Sequence, residues 1–106
     1  METIVCKFGG TSTADGDAAK RVRQIAEANA ARRYIVVSAP GKRFAGDIKI
    51  TDILYSAAAA AKARRAKEYK KIYAKARGRF LEIARDTGAD ERFLSEIKTE
   101  IEEIVE

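Results

Sequence analysis

The chain has 106 residues, 46% of them hydrophobic and 35% charged, the balance of a folded domain rich in helix surface and not of a disordered tail. No apolar run approaches the roughly 20 residues of a membrane span, and the Met1 end lacks a basic region followed by an apolar signal core, so a cytoplasmic address is expected. One cysteine and no histidine exclude a disulfide scaffold, a CxxC redox motif and His-based zinc. Chemistry then falls to Lys, Arg, Asp, Glu, Ser, Thr and backbone amides.

Residues 3–8, TIVCKF, read as a first strand, apolar apart from Lys7, in the pattern of a strand buried on both faces. Cys6 inside it is expected to be an inert core thiol, because burial in an apolar strand disfavours the thiolate. GGTSTADGD has turn composition, and Thr13 or Asp15 can cap a helix whose apolar face runs Ala18, Val22, Ile25, Ala26 and Asn29. Residues 34–37 form a second strand of the same buried type, stopped by Ser38, Ala39 and Pro40, since proline cannot donate to a sheet ladder. Strand, helix and strand make a parallel unit. GKRFAGDIK is then a basic loop, after which Thr51 caps a helix ahead of Asp52, Ile53 and Leu54.

From there the chain reads as helical almost to its end. SAAAAAKARRAKEYKK has high helix propensity and would fuse residues 52–86 into one helix, with a break near 64–67 as the alternative, where the apolar stripe changes from alanines to Tyr and Ile. Gly88 is placed as a C-terminal cap, and a last helix presents Phe93, Leu94, Ile97, Ile101, Ile104 and Val105. The expected fold class is therefore α/β: a parallel β-α-β unit followed by a helical segment. It is organised as a single domain or domain fragment over 1–106, with the β-α-β unit and glycine motif in 1–55 and helices in 52–106. A two-stranded parallel sheet has two open edges, so a homo-oligomer is expected.

The net charge of +5 is unevenly placed. Ten basic residues against two acidic ones lie between Lys62 and Arg85, whereas GADERFLSEIKTEIEEIVE is acidic, and the two stretches can pair. The basic residues alternate with Tyr69, Ile72, Tyr73, Ala76, Phe80, Ile83 and Ala84 at helical spacing, as the wet face of an amphipathic helix does. Nucleic-acid binding through 62–85 is the alternative, but neither an aromatic stacking platform nor helix-turn-helix spacing accompanies it. Asp15, Asp17, Asp47 and Asp52 can be imagined around Mg²⁺. Asp15 and Asp52 are equally explained as helix-start residues and Asp17 as first-turn charge, and we assign no metal site.

KFGGTS, 7–12, carries the most chemistry. A strand that ends in glycines at the mouth of a helix turns several N–H groups into one space, where a phosphate fits. Glycine lets the phosphate reach the amides, Thr11 and Ser12 can donate further bonds, and Lys7 supplies a point charge. A tight turn explains the same residues, and the stretch is neither a Walker A loop nor a dinucleotide GxGxxG. Lys42 and Arg43 beside Gly41 can reach a nucleotide phosphate or belong to a solvated loop.

Taken together, KFGGTS, VVSAPGK and ITDILY resemble, in that order, the N-terminal part of aspartokinases in the amino-acid kinase family, over residues 3–55. The resemblance implies the N-terminal part of a three-layer α/β fold. It also implies transfer of the γ-phosphoryl group of ATP with Mg²⁺ to the side-chain carboxylate of L-aspartate, the first step toward lysine, methionine and threonine. By the same resemblance Lys7 is the catalytic charge, Gly9 and Gly10 are the amide cradle for the nucleotide phosphate with Thr11 and Ser12 beside them, and Ser38 and Thr51 lie at the aspartate end. The family's downstream RGE-type motif and its adenine-binding half have no counterpart in these residues. The expectation is an N-terminal portion, weakly active or inactive alone, with a non-catalytic folded fragment or scaffold as the alternative.

Overall fold

The computed structural model describes residues 2–105, with side chains up to residue 103. Met1 and Glu106, the ends of the expected 1–106 organisation, and the side chains of Ile104 and Val105 lie outside what is described. In chain order the elements are β1 (Ile4–Phe8), a 3-10 turn (Gly10–Thr13), α1 (Gly16–Glu27), β2 (Arg32–Val37), α2 (Ile50–Lys62), α3 (Ala66–Asp86) and α4 (Glu91–Val105). They fall into two compact units, one up to Thr51 and one from Asp52 onward.

In the first unit β1 and β2 pair in parallel, with Cys6 opposite Ile35, Lys7 opposite Val36 and Phe8 opposite Val37. Asp15 caps α1, its carboxylate accepting from the Ala18 amide at 2.9 Å. Asn29 is not part of the apolar helix face expected for it. It lies beyond the end of α1, where its side chain accepts from the Ala31 amide at 3.0 Å and turns the chain into β2. The Arg32 guanidinium donates to the Ile25 carbonyl, one of the last-turn acceptors that a helix cannot satisfy itself. β2 thereby starts two residues earlier than its apolar run.

The strands do not have the burial their composition predicts. Cys6 and Phe8 are half-buried on the face where Phe8, Val22 and Ile25 line one groove, so α1 covers that side. On the opposite face Val5, Tyr34 and Val36 are 65%, 62% and 50% exposed. The reason is the width of the sheet: among the described residues it has two strands, and one helix lies over one of its faces. The buried residues of this unit are small or lie in its loops: Ala14, Gly16, Ala18, Ala31, Pro40, Gly41 and Ile50.

In the second unit the alanine-rich stretch is two helices, not one. Arg64 adopts φ +58°, while the Arg65 amide reaches back to the Ala60 carbonyl (2.9 Å) and the Arg64 amide to that of Ala61 (3.0 Å). This pair of bonds around a left-handed residue is the Schellman ending, made here with an arginine. α3 ends in the same way with the residue the sequence predicts: Gly88 has φ +90°, with Ala89 bonded to Ala84 and Gly88 to Arg85. Asp90 then caps α4, accepting from the Phe93 amide at 2.8 Å.

α3 packs against α4. Ala76 is buried and the aromatic and isoleucine positions are half-buried, while Lys67, Lys70, Lys71 and Lys75 are exposed. Arg79 is the exception to the wet face, at 6% exposure. Arg77 reaches Glu102 of α4 at 3.3 Å, an ion pair between the basic and the acidic helix.

Candidate functional site

Parallel strands end on the same side, so the loops after β1 and β2 meet at the carboxyl edge of the sheet, where ligands collect in α/β folds. The Ser38 amide donates to the Phe8 carbonyl at 3.0 Å, carrying the pairing to the last residue of β1. Beyond it the Thr13 hydroxyl lies 3.1 Å from the Ser38 carbonyl and 3.3 Å from that of Gly10, tying the 3-10 turn to the end of β2.

The two loops then touch backbone to backbone. The Gly41 amide donates to the Gly10 carbonyl at 2.8 Å. A β-carbon on Gly41 would lie 2.8 Å from the Gly10 carbonyl carbon and 3.1 Å from the Thr11 nitrogen, so only glycine allows this approach. Nine residues later the Ile50 amide donates to the Pro40 carbonyl at 3.1 Å and closes the segment into a compact loop.

This closure leaves an open pocket of about 310 Å³, lined by Gly10 and Thr11 from the first loop, Ser38 through Lys42 from the second, and Lys49 and Thr51 where that loop enters α2. Three hydroxyl-bearing residues, two lysines and loop backbone line it, residue types suited to an anion of phosphate or carboxylate size. Thr51 is the second residue of α2 and not its cap, because the helix begins at Ile50. The first-turn N–H groups of a helix have no partner within it.

Of the residues singled out from the sequence, the pocket brings together Gly10, Thr11, Ser38, Lys42 and Thr51, whereas Arg43, named beside Lys42, is not among its lining residues. Lys7 is exposed on β1, opposite Val36, and Gly9 is exposed just beyond; neither is among the lining residues. Ser12 lines the neighbouring groove with Phe8 and Val22, and its amide donates to the Gly9 carbonyl at 3.1 Å. Lys49 is a lining residue that sequence reading passed over. The signal available for it was its place at the far end of a loop that opens with Lys42, two residues ahead of Thr51.

The carboxylates have other partners. Asp15 caps α1, and Asp47 takes the Arg43 guanidinium in a fork, Nε to Oδ2 at 2.6 Å and Nη2 to Oδ1 at 3.0 Å. The Arg43 amide also donates to Oδ2 at 2.9 Å. The hydrogen bonds from the Arg43 side chain and backbone hold the Asp47 carboxyl well below the usual carboxylate range. Among the described residues, Asp, Glu and Cys side chains form no cluster of three or more that could hold a metal ion.

The family model for the amino acid kinase family matches residues 2–101. Aspartokinase 3 of Bacillus subtilis (strain 168) is 48% identical over 54 residues, which are 51% of this chain and 12% of that protein. The crystal structure of an aspartate kinase of Clostridium acetobutylicum superposes with a TM-score of 0.78 at 36% identity, covering 97% of this chain and 24% of that one. The chain therefore spans a quarter or less of the length of each of these relatives.

Proposed function

The chain belongs to the amino acid kinase family, and on that premise we propose that the pocket beyond β1 and β2 is the phosphoryl and acceptor-carboxylate corner of an aspartate kinase reaction. In that reaction a side-chain carboxylate oxygen of L-aspartate attacks the γ-phosphorus of ATP, the bond to the β,γ-bridging oxygen breaks, and ADP leaves. The observation that carries the reading is that Lys42, Lys49, Thr11, Ser38 and Thr51 line one pocket at the strand ends.

The chemistry asks for such groups. Both reactants are anions, so their approach is opposed by charge, and fixed donors and ammonium groups offset that repulsion where charge spreads over the phosphoryl oxygens. In this reading Lys7 is the catalytic charge, Gly9, Gly10, Thr11 and Ser12 bracket the nucleotide phosphate, and Ser38 and Thr51 bind aspartate, with Lys42 and Lys49 added at the loop. Mg²⁺ enters with the nucleotide. The pocket's ammonium and hydroxyl donors fit the phosphate and not the cation, and no residue here is assigned to the metal. The setting that follows is amino-acid biosynthesis toward lysine, in the cytoplasm. A homo-oligomer is part of the proposal, because a two-stranded sheet leaves an unpaired edge on each strand; a concentration-independent monomer in sedimentation would count against it.

Phosphate titration tests the pocket. With ionic strength held constant by NaCl, phosphate should raise the melting temperature of the chain, by linkage to the folded state. Lys42→Met and Lys49→Met should each weaken that response. A parent chain that phosphate leaves unmoved relative to NaCl refutes the anion reading. With magnesium ATP and aspartate, the isolated 106 residues should form little aspartyl phosphate, because positioning of both substrates supplies most of the rate and the chain spans a small part of its relatives. Robust turnover abolished by Lys7→Ala would show instead that these residues suffice.

A further inference from the structure

The two lysines of the pocket stand at opposite ends of one loop. Lys42 follows the Gly10–Gly41 contact and Lys49 precedes the Ile50–Pro40 bond, so the ends are fixed by backbone hydrogen bonds while the residues between them need another tie. That tie is Arg43 and Asp47. The guanidinium and carboxylate meet as a fork of two bonds, the Arg43 amide adds a third to the same carboxylate, and the Asp47 amide donates to the Phe44 carbonyl at 3.1 Å. The guanidinium also lies 5.7 Å from the centroid of the Phe44 ring. The Asp47 side chain is only 8% exposed, although its neighbours Gly46 and Ile48 are exposed.

We propose that Arg43 and Asp47 are positioning residues of the anion pocket, their fork holding the 41–49 loop so that Lys42 and Lys49 flank the ligand from its two ends; this rests on the anion reading of the pocket given above. A lysine carries a mobile charge on a flexible stem, and two of them on a loose loop would have to be ordered when the anion binds. A loop already closed at its ends and braced across its middle has less to order. Arg43 sits next to Lys42 and Asp47 two residues before Lys49, so bracing this pair fixes the backbone from which both lysines extend. Because Arg43 keeps the Asp47 carboxyl well below the usual range, the brace stays ionised throughout neutral pH.

The proposal makes a prediction opposite in sign to simple electrostatics. Asp47→Asn removes a negative charge beside an anion pocket, which by Coulomb attraction alone would tighten phosphate binding. If Asp47 positions the loop, the same change weakens it, by at least threefold in the phosphate Kd. Arg43→Lys keeps the net charge and breaks the fork, and should weaken binding similarly. The Kd is read by NMR titration with inorganic phosphate, well below the melting temperature, on the parent, both variants and Leu94→Ala, a core substitution in the other compact unit that should leave the Kd at the parent's value.

Asp47→Asn binding phosphate as tightly as the parent, or more tightly, overturns the proposal. Leu94→Ala weakening it as much as Asp47→Asn also overturns it, since the effect would then be general destabilisation. Absence of phosphate binding in the parent refutes the anion reading itself, and that failure is visible without any variant.

Discussion

Gly41→Ala is the substitution on which the geometry of the two loops bears most directly. The new β-carbon would stand 2.8 Å from the Gly10 carbonyl carbon, 3.0 Å from its oxygen and 3.1 Å from the Thr11 nitrogen, all backbone atoms that no rotamer change can remove. Relief to an ordinary carbon–carbon contact of roughly 3.5 Å requires the loops to part by about 0.7 Å. That separation stretches the 2.8 Å bond from the Gly41 amide to the Gly10 carbonyl toward the limit of a hydrogen bond.

Overpacking of this kind costs about 1–3 kcal/mol, and a weakened backbone bond adds up to about 1 kcal/mol. A less flexible unfolded chain returns about 0.4–1 kcal/mol. The expected net loss is about 2 kcal/mol. Gly10→Ala meets backbone at 3.1–3.3 Å and should lose less, about 1 kcal/mol by the same reasoning. Gly9→Ala meets nothing within 4 Å, at φ −72° and ψ 176°, and should be neutral or slightly stabilising. Urea unfolding of the three variants gives the order, and phosphate titration should show Gly41→Ala losing affinity as well as stability. A Gly41→Ala protein as stable as Gly9→Ala would refute the close approach of the loops.

The helix endings and the fork give two further tests. Arg64→Gly should stabilise the chain by up to about 1 kcal/mol and Gly88→Ala destabilise it by about as much, because both positions are left-handed and only one already has glycine; thermal unfolding reads both. The pH test concerns Asp47, whose folded pKa is depressed by Arg43 from an ordinary value of about 3.9. The stability it contributes is complete above about pH 4 and declines as pH falls from there through the folded value. The difference in urea midpoint between the parent and Asp47→Asn should therefore be constant from pH 7 to about 4 and shrink in more acid solution; a difference that fades between pH 7 and 5 would contradict the fork.

The parts of the fold legible in the sequence are those set by neighbours in the chain. The order strand, helix, strand follows from apolar runs and turn residues, the Gly88 ending from a left-handed requirement that glycine meets, and the Asp15 cap from a carboxylate one turn from Ala18. What sequence could not fix depended on competing local bonds or distant partners. The alanine run is interrupted where Arg64 accepts a strained conformation, against propensity. Thr51, a plausible cap by residue type, is overtaken because Ile50 already joins the helix after bonding Pro40. The strands carry the composition of a doubly covered sheet, while coverage is a property of what lies above them, and Val5 and Tyr34 are exposed.

The site divides along the same line. KFGGTS is contiguous, so its glycines and hydroxyls are visible together in the sequence as a phosphate loop or a tight turn, yet its geometry alone does not make the pocket. The enclosing wall is the 40–50 loop, and its placement depends on contacts between residues about thirty positions apart: Gly41 against Gly10, and Ser38 against Phe8 and Thr13. A glycine at position 41 looks in the sequence like any loop glycine after proline. Its role becomes visible once a β-carbon there is seen to strike the first loop, whereas one at Gly9 meets nothing within 4 Å among the described residues. If glycine is required at position 9, the requirement must come from a ligand; at position 41 it comes from the fold. The glycine series with and without phosphate therefore separates the two origins, because a Gly9 variant that folds normally and loses only phosphate affinity marks where the ligand itself touches the chain.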